Sequence, residues 1–156
     1  MSRAPISYEV QAVARAIGIP ERRLEGWVER GVVAPTVRAS GTGTRIRFSP
    51  QDVLRVAIIM EIQRLFGTEL RPGRIAATLG ANPWHLPFLD TALGRHIKAG
   101  QSGTPRTELF LCVHHNGKEF RISYTAKPEE KLKAMPAVLV INPAVIWRTI
   151  QPRLEK

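Results

Sequence analysis

The sequence is nearly without cysteine: one residue, Cys112, in 156. That excludes an intramolecular disulfide and any metal centre built from several cysteines of one chain, and a reducing cytoplasm is the expected compartment. Long apolar runs are also missing. The opening "MSRAPISYEVQAVARAIG" has no uninterrupted apolar core of the kind a signal peptide needs. The longest candidate span, "VLRVAIIMEIQRLF", is broken by Arg55, Glu61 and Arg64, short of the roughly 18 apolar residues that cross a bilayer, and reads as a core helix. No low-complexity tract interrupts a chain whose 44% hydrophobic content is that of a globular protein. Phosphate-binding glycine loops, metal-ligand spacings and paired catalytic carboxylates are absent, so neither an enzyme nor a cofactor or metal is expected.

Acidic residues are scarce beside basic ones, 13 against 23, for a net charge of +10. Such an excess favours a polyanionic partner, with nucleic acid ahead of an anionic membrane surface. It does not say where that partner sits, because residues 1 to 78 hold 12 basic and 7 acidic side chains and the remainder 11 and 6.

Periodicity locates the interface more sharply. Val10, Val13, Ala14 and Ile17 follow the i, i+3, i+4, i+7 spacing of one helix face, with Ser7 as the expected N-cap, a length of about ten residues, and Gly18 as the left-handed stop. A second helix, "PERRLEGWVER", has Pro20 in its first turn, Leu24, Trp27 and Val28 inward, and Gly31 as its end. Two short helices across Gly-Ile-Pro predict a helix-turn-helix whose second helix reads DNA, with Arg22, Arg23 and Arg30 outward. The arm that follows alternates Arg45 and Arg47 with Ile46 and Phe48, a strand with one basic and one apolar face. Its Ser-Gly-Thr-Gly-Thr tip, including Thr42 and Thr44, lets backbone N–H groups approach a phosphate closely. Ser49-Pro50-Gln51-Asp52 reads as a capping box opening a long third helix to Gly67, and Pro72 to Gly80 as a fourth.

Together these features resemble the DNA-binding domain of MerR-type transcriptional regulators. The residues that carry the resemblance are the helix-turn-helix, Gly31 to Pro35 as Gly-aliphatic-aliphatic-x-Pro, Arg45 to Ser49 as Arg-x-Arg-aromatic-Ser, and the long apolar helix, over about residues 6 to 80. Ala14 and Gly18 fall where that family usually has Ala and Gly, and Trp27 falls on the second aromatic of its Leu-Arg-Tyr-Tyr motif. Glu25 replaces the arginine of that motif and Gly26 its first aromatic, and Arg22 and Arg23, one turn earlier, stand where they could compensate. Phage excisionases use a related winged fold. The expected DNA contacts are Arg22, Arg23, Trp27, Arg30, Arg38, Thr42, Thr44, Arg45 and Arg47, and the resemblance implies a dimer.

The C-terminal half resembles no family. Leu86, Leu89, Leu93 and Ile97 are spaced as one helix face, and residues 99 to 107 read as a linker; the MerR resemblance of the first half implies a dimerising helix in this place, with those four residues as its surface. Asn116-Gly117 predicts a two-residue hairpin turn pairing His115 with Lys118 and Cys112 with Arg121. Cys112, His114 and Glu119 then share a face and could bind a metal or activate a thiolate, although packing and a cross-strand charge pair explain them more plainly. "AVLVIN" is wholly apolar and reads as a central or covered strand, and Asn142 caps a last helix that Pro152 ends.

The predicted fold is α+β: a MerR-like winged helix-turn-helix over residues 1–80, then a connecting helix and a small hairpin, strand and helix domain over 81–156. The expected function is a cytoplasmic, sequence-specific, dimeric DNA-binding regulator on a two-half-site operator, in contact with RNA polymerase or another protein. The alternative is a phage or mobile-element accessory factor, an excisionase or packaging adaptor, that docks on protein through its C-terminal unit. No membrane partner is expected.

Overall fold

A computed structural model describes residues 6–35, 37–38, 45–67, 70–81, 110–125, 127–134 and 138–156. The elements in chain order are β1 (Tyr8–Glu9), α1 (Val10–Ile17), α2 (Glu21–Glu29), β2 (Val37–Arg38), β3 (Ile46–Phe48), α3 (Pro50–Phe66) and α4 (Pro72–Ala81). After them come β4 (Phe110–His115), β5 (Phe120–Thr125), α5 (Pro128–Ala134), β6 (Leu139–Ile141) and α6 (Pro143–Leu154). The segments expected to form the dimerisation helix and the linker lie outside the described residues.

Helix α3 is the spine. Val53, Leu54, Val56, Ala57, Ile58, Ile59 and Ile62 are all buried, an apolar surface too broad for a helix packed on one side only. Helices α1 and α6 pack against it, as does α4, which also touches β5. Its start is fixed by the expected capping box: the Asp52 N–H donates to Ser49 Oγ at 3.2 Å, and the Ser49 N–H donates back to Asp52 Oδ2 at 2.8 Å. Leu65, near its C-terminal end, is 48% exposed.

The helix-turn-helix forms as its spacing predicts, with Gly18 left-handed at φ 81° closing α1. Ser7 is not the cap of α1. The residues before that helix are extended because Tyr8 and Glu9 pair with Phe48 and Arg47, so α1 has eight residues and Glu9 at its N-cap. Pro20 likewise lies one position outside α2. The resulting sheet has the order β1-β3-β2, with Val37 opposite Arg47 and Arg38 opposite Ile46.

The C-terminal sheet has the order β5-β4-β6, so the apolar segment β6 is an edge and β4 is central. Leu111, Cys112 and Val113 of β4 point alternately to the two faces and are all buried, so both faces of the strand are covered there, and α5 is in contact with it. The hairpin register is two residues off the expected one: His115 pairs with Phe120 and Cys112 with Ser123. The cause is Asn116, whose side-chain oxygen accepts from the N–H groups of Lys118 and Glu119 at 3.1 and 2.7 Å, drawing both into a four-residue turn around left-handed Gly117. An even shift preserves the faces, which is why Leu111, Val113 and Ile122 remain inward. It also sets His114 opposite Arg121 rather than Glu119, and Glu119 instead pairs with Arg121 at 3.1 Å, so the Cys112, His114 and Glu119 trio is not assembled.

Helix α5 was not anticipated from the sequence. Helix α6 has the expected cap, with the Ala144 N–H donating to Asn142 Oδ1 at 3.0 Å. It does not stop at Pro152 but runs to Leu154, because burial of Ile150 and Leu154 holds the last turn at the loss of one backbone hydrogen bond.

Candidate nucleic-acid interface

Helix α2 is amphipathic by register. Leu24 and Trp27 are buried, so the helical step of about 100° per residue puts Arg22, Gly26 and Glu29 at the centre of the outward face. Arg22, Arg23 and Arg30 are all exposed, as expected, but they are not equivalent. Arg23 is held from two sides: its guanidinium lies 5.4 Å from the Trp27 ring centroid, and its Nη2 donates to Gln63 Oε1 of α3 at 2.7 Å. Arg30 folds back along the helix over Gly26. Trp27, expected among the DNA contacts, is 2% exposed and packs in the core, with Arg23 over its ring.

Strand β3 separates its two faces as predicted, with Phe48 buried, Ile46 half-buried, and Arg45 and Arg47 outward. Both arginines meet Glu9 of β1, Arg45 Nη1 at 3.2 Å and Arg47 Nη2 at 3.7 Å from the same oxygen, Oε1. This tether was missed in the sequence, where Glu9 reads as a helix-start residue. Arg45, Glu9, Glu21 and Glu25 bound one groove of about 310 Å³, so the wing strand stands beside the N-terminal half of α2. Arg38 has its backbone in β2, while Thr42 and Thr44 lie outside the described residues, as do Leu86, Leu89, Leu93 and Ile97.

The other end of α2 has cations that sequence reasoning passed over. Gly73 of α4 lies against Val32, just beyond α2, which brings exposed Arg71 and Arg74 to that end. Arg74 also donates to the Lys118 carbonyl at 3.1 Å, linking α4 to the hairpin turn. The Arg-Pro-Gly-Arg run at a helix start was the available signal.

Every one of the 12 basic residues in positions 1 to 78 is an arginine. Its rigid planar fork matches phosphate and guanine edges in two-point contacts that lysine does not make. Among the described residues no three of His, Cys, Asp and Glu come together as metal ligands, and no helix is long and apolar enough to cross a membrane. No curated protein matches the chain. Residues 8–71 match the family model of MerR HTH family regulatory proteins, and the match ends just before α4. Helices α1 and α2, the strands of the wing and α3 all lie within it.

Proposed function

From a MerR-type helix-turn-helix DNA-binding domain over residues 8–71, we propose that the chain is a sequence-specific transcriptional regulator acting as a dimer on two half-sites. The observation that carries this reading is the pairing of Arg22 and Arg30 on the outward face of α2 with Arg45 and Arg47 on the adjoining wing strand. A helix with exposed guanidinium groups fits the major groove, and a strand edge with two more fits the flanking backbone. The dimer would come from the segment containing Leu86, Leu89, Leu93 and Ile97, whose spacing is that of one helix face. Residues beyond 80 would dimerise or contact another protein, RNA polymerase among them.

The test is selection of bound fragments from random and host DNA, followed by affinity against salt for the best fragment. A symmetric motif of two half-sites, with affinity falling steeply as salt rises, is the expected result. Binding without sequence preference would overturn the regulator reading and leave an architectural or accessory role.

A further inference from the structure

Gly26 occupies the middle of α2, where glycine weakens a helix relative to alanine. Its backbone does not require glycine, since among the described residues the glycines with positive φ are Gly18, Gly31, Gly67 and Gly117. What a side chain there would meet is Arg30: a Cβ would stand 3.2 Å from Nη1, 3.5 Å from Nη2 and 3.6 Å from Cζ. Three atoms of one planar group at nearly one distance mean that the guanidinium lies across the bare Cα of Gly26. Gly26 shares the centre of the outward face with Arg22, one turn away, whereas the Arg30 backbone sits toward its edge.

We infer that Gly26 is a positioning residue for DNA recognition: by having no side chain, it seats the Arg30 guanidinium on the centre of the outward face of α2, where that group contacts the DNA. The inference rests on α2 being the reading helix. It assigns a role to a residue that contributes no side-chain chemistry, and it replaces helix stability with a cation delivered from one turn away. Arg23, spaced to do the same, is committed to Trp27 and Gln63.

The experiment is a double-mutant cycle on the full chain with the best selected DNA fragment. Arg30→Ala is expected to weaken binding about five- to tenfold. Gly26→Ala should weaken it about threefold or more while raising the unfolding midpoint, an opposition that a purely structural glycine would not produce. In the Arg30→Ala background, Gly26→Ala should add less than about twofold. A phosphate contact predicts that both single variants lower the slope of log affinity against log salt by about one; a guanine contact predicts an altered base preference at one position instead. Unchanged affinity of Gly26→Ala overturns the inference, as does an equal loss in both backgrounds, which would mean that the new methyl meets the DNA directly. If Arg22→Ala and Arg30→Ala both bind as the parent does, the reading of α2 itself fails.

Discussion

Glu9 determines how much of the wing's charge is available. One carboxylate oxygen faces Arg45 and Arg47, and all three side chains are substantially exposed, at 42%, 78% and 44%. Exposed pairs of this kind contribute little to stability, typically under about 1 kcal/mol. At the proposed interface their effect on binding is larger in proportion, because a phosphate would have to compete with Glu9 for the same two donors. Glu9→Gln is therefore expected to tighten DNA binding about two- to fivefold at low salt and to steepen its salt dependence. Titration of labelled DNA at several salt concentrations measures both. The gain should vanish when Arg45 and Arg47 are alanine; a gain that persists without them would place the effect of Glu9 elsewhere. The outward arginines of α2 and β3 were legible in the sequence because their spacing against Leu24, Trp27 and Phe48 fixes direction. Their partners were not, since Glu9 lies 36 residues from Arg45 and Gln63 lies 40 from Arg23.

At the scale of elements, legibility followed how local the determining contact is. The start of α3 was readable because Ser49 and Asp52 cap it within one turn, and the start of α6 because Asn142 does the same. The start of α1 was not, because its first residues belong to a strand pair with β3, and the pairing of β4 with β5 was misread by two residues because Asn116 closes a longer turn than Asn-Gly usually does. Helix α5 has acidic residues in its first turn, Glu129 and Glu130, which complement the helix dipole, and that signal was available. The cap of α3 has a measurable consequence, because the helix it opens is the spine. Asp52 is 4% exposed and accepts from both the N–H and the hydroxyl of Ser49. Ser49→Ala should destabilise the protein by about 1 kcal/mol, and Asp52→Ala by about 2 kcal/mol, because it leaves the part-buried N–H and hydroxyl of Ser49 without their acceptor. Equilibrium unfolding in urea reads both, and a shift in midpoint at constant slope is expected. A loss below about 0.3 kcal/mol for Asp52→Ala would show that the box is not what holds the helix start.

Across the whole molecule, the last helix returns to the first. Helix α6 packs on α1 and α3, and Arg153 Nη1 donates to the Ala16 carbonyl at 3.4 Å, across 137 residues of sequence. Burial raises the pKa of the Tyr8 phenol, and the negative charge of Glu155 adds to that shift. On the other flank the His115 ring meets Phe66 of α3 edge-on at 5.7 Å. Sequence patterning gave two halves with equal charge excess and no indication that they touch, because an amphipathic stripe shows that a face is covered but not by what. The buried side chains form one continuous cluster from Val10 to Leu154, which ties the stability of the helices inside the family match to residues some 70 positions beyond it. Trp147 is 1% exposed in that cluster. Trp147→Ala is expected to cost about 3 to 5 kcal/mol and to lower DNA binding in proportion to the fraction unfolded, although it lies on neither α2 nor the wing. Unfolding followed by helical circular dichroism and by tryptophan fluorescence should give coincident single transitions in the parent. Two separate transitions, with Trp147→Ala shifting only one of them and DNA binding intact, would show instead that α1 to α3 stand on their own and that α6 only rests on them.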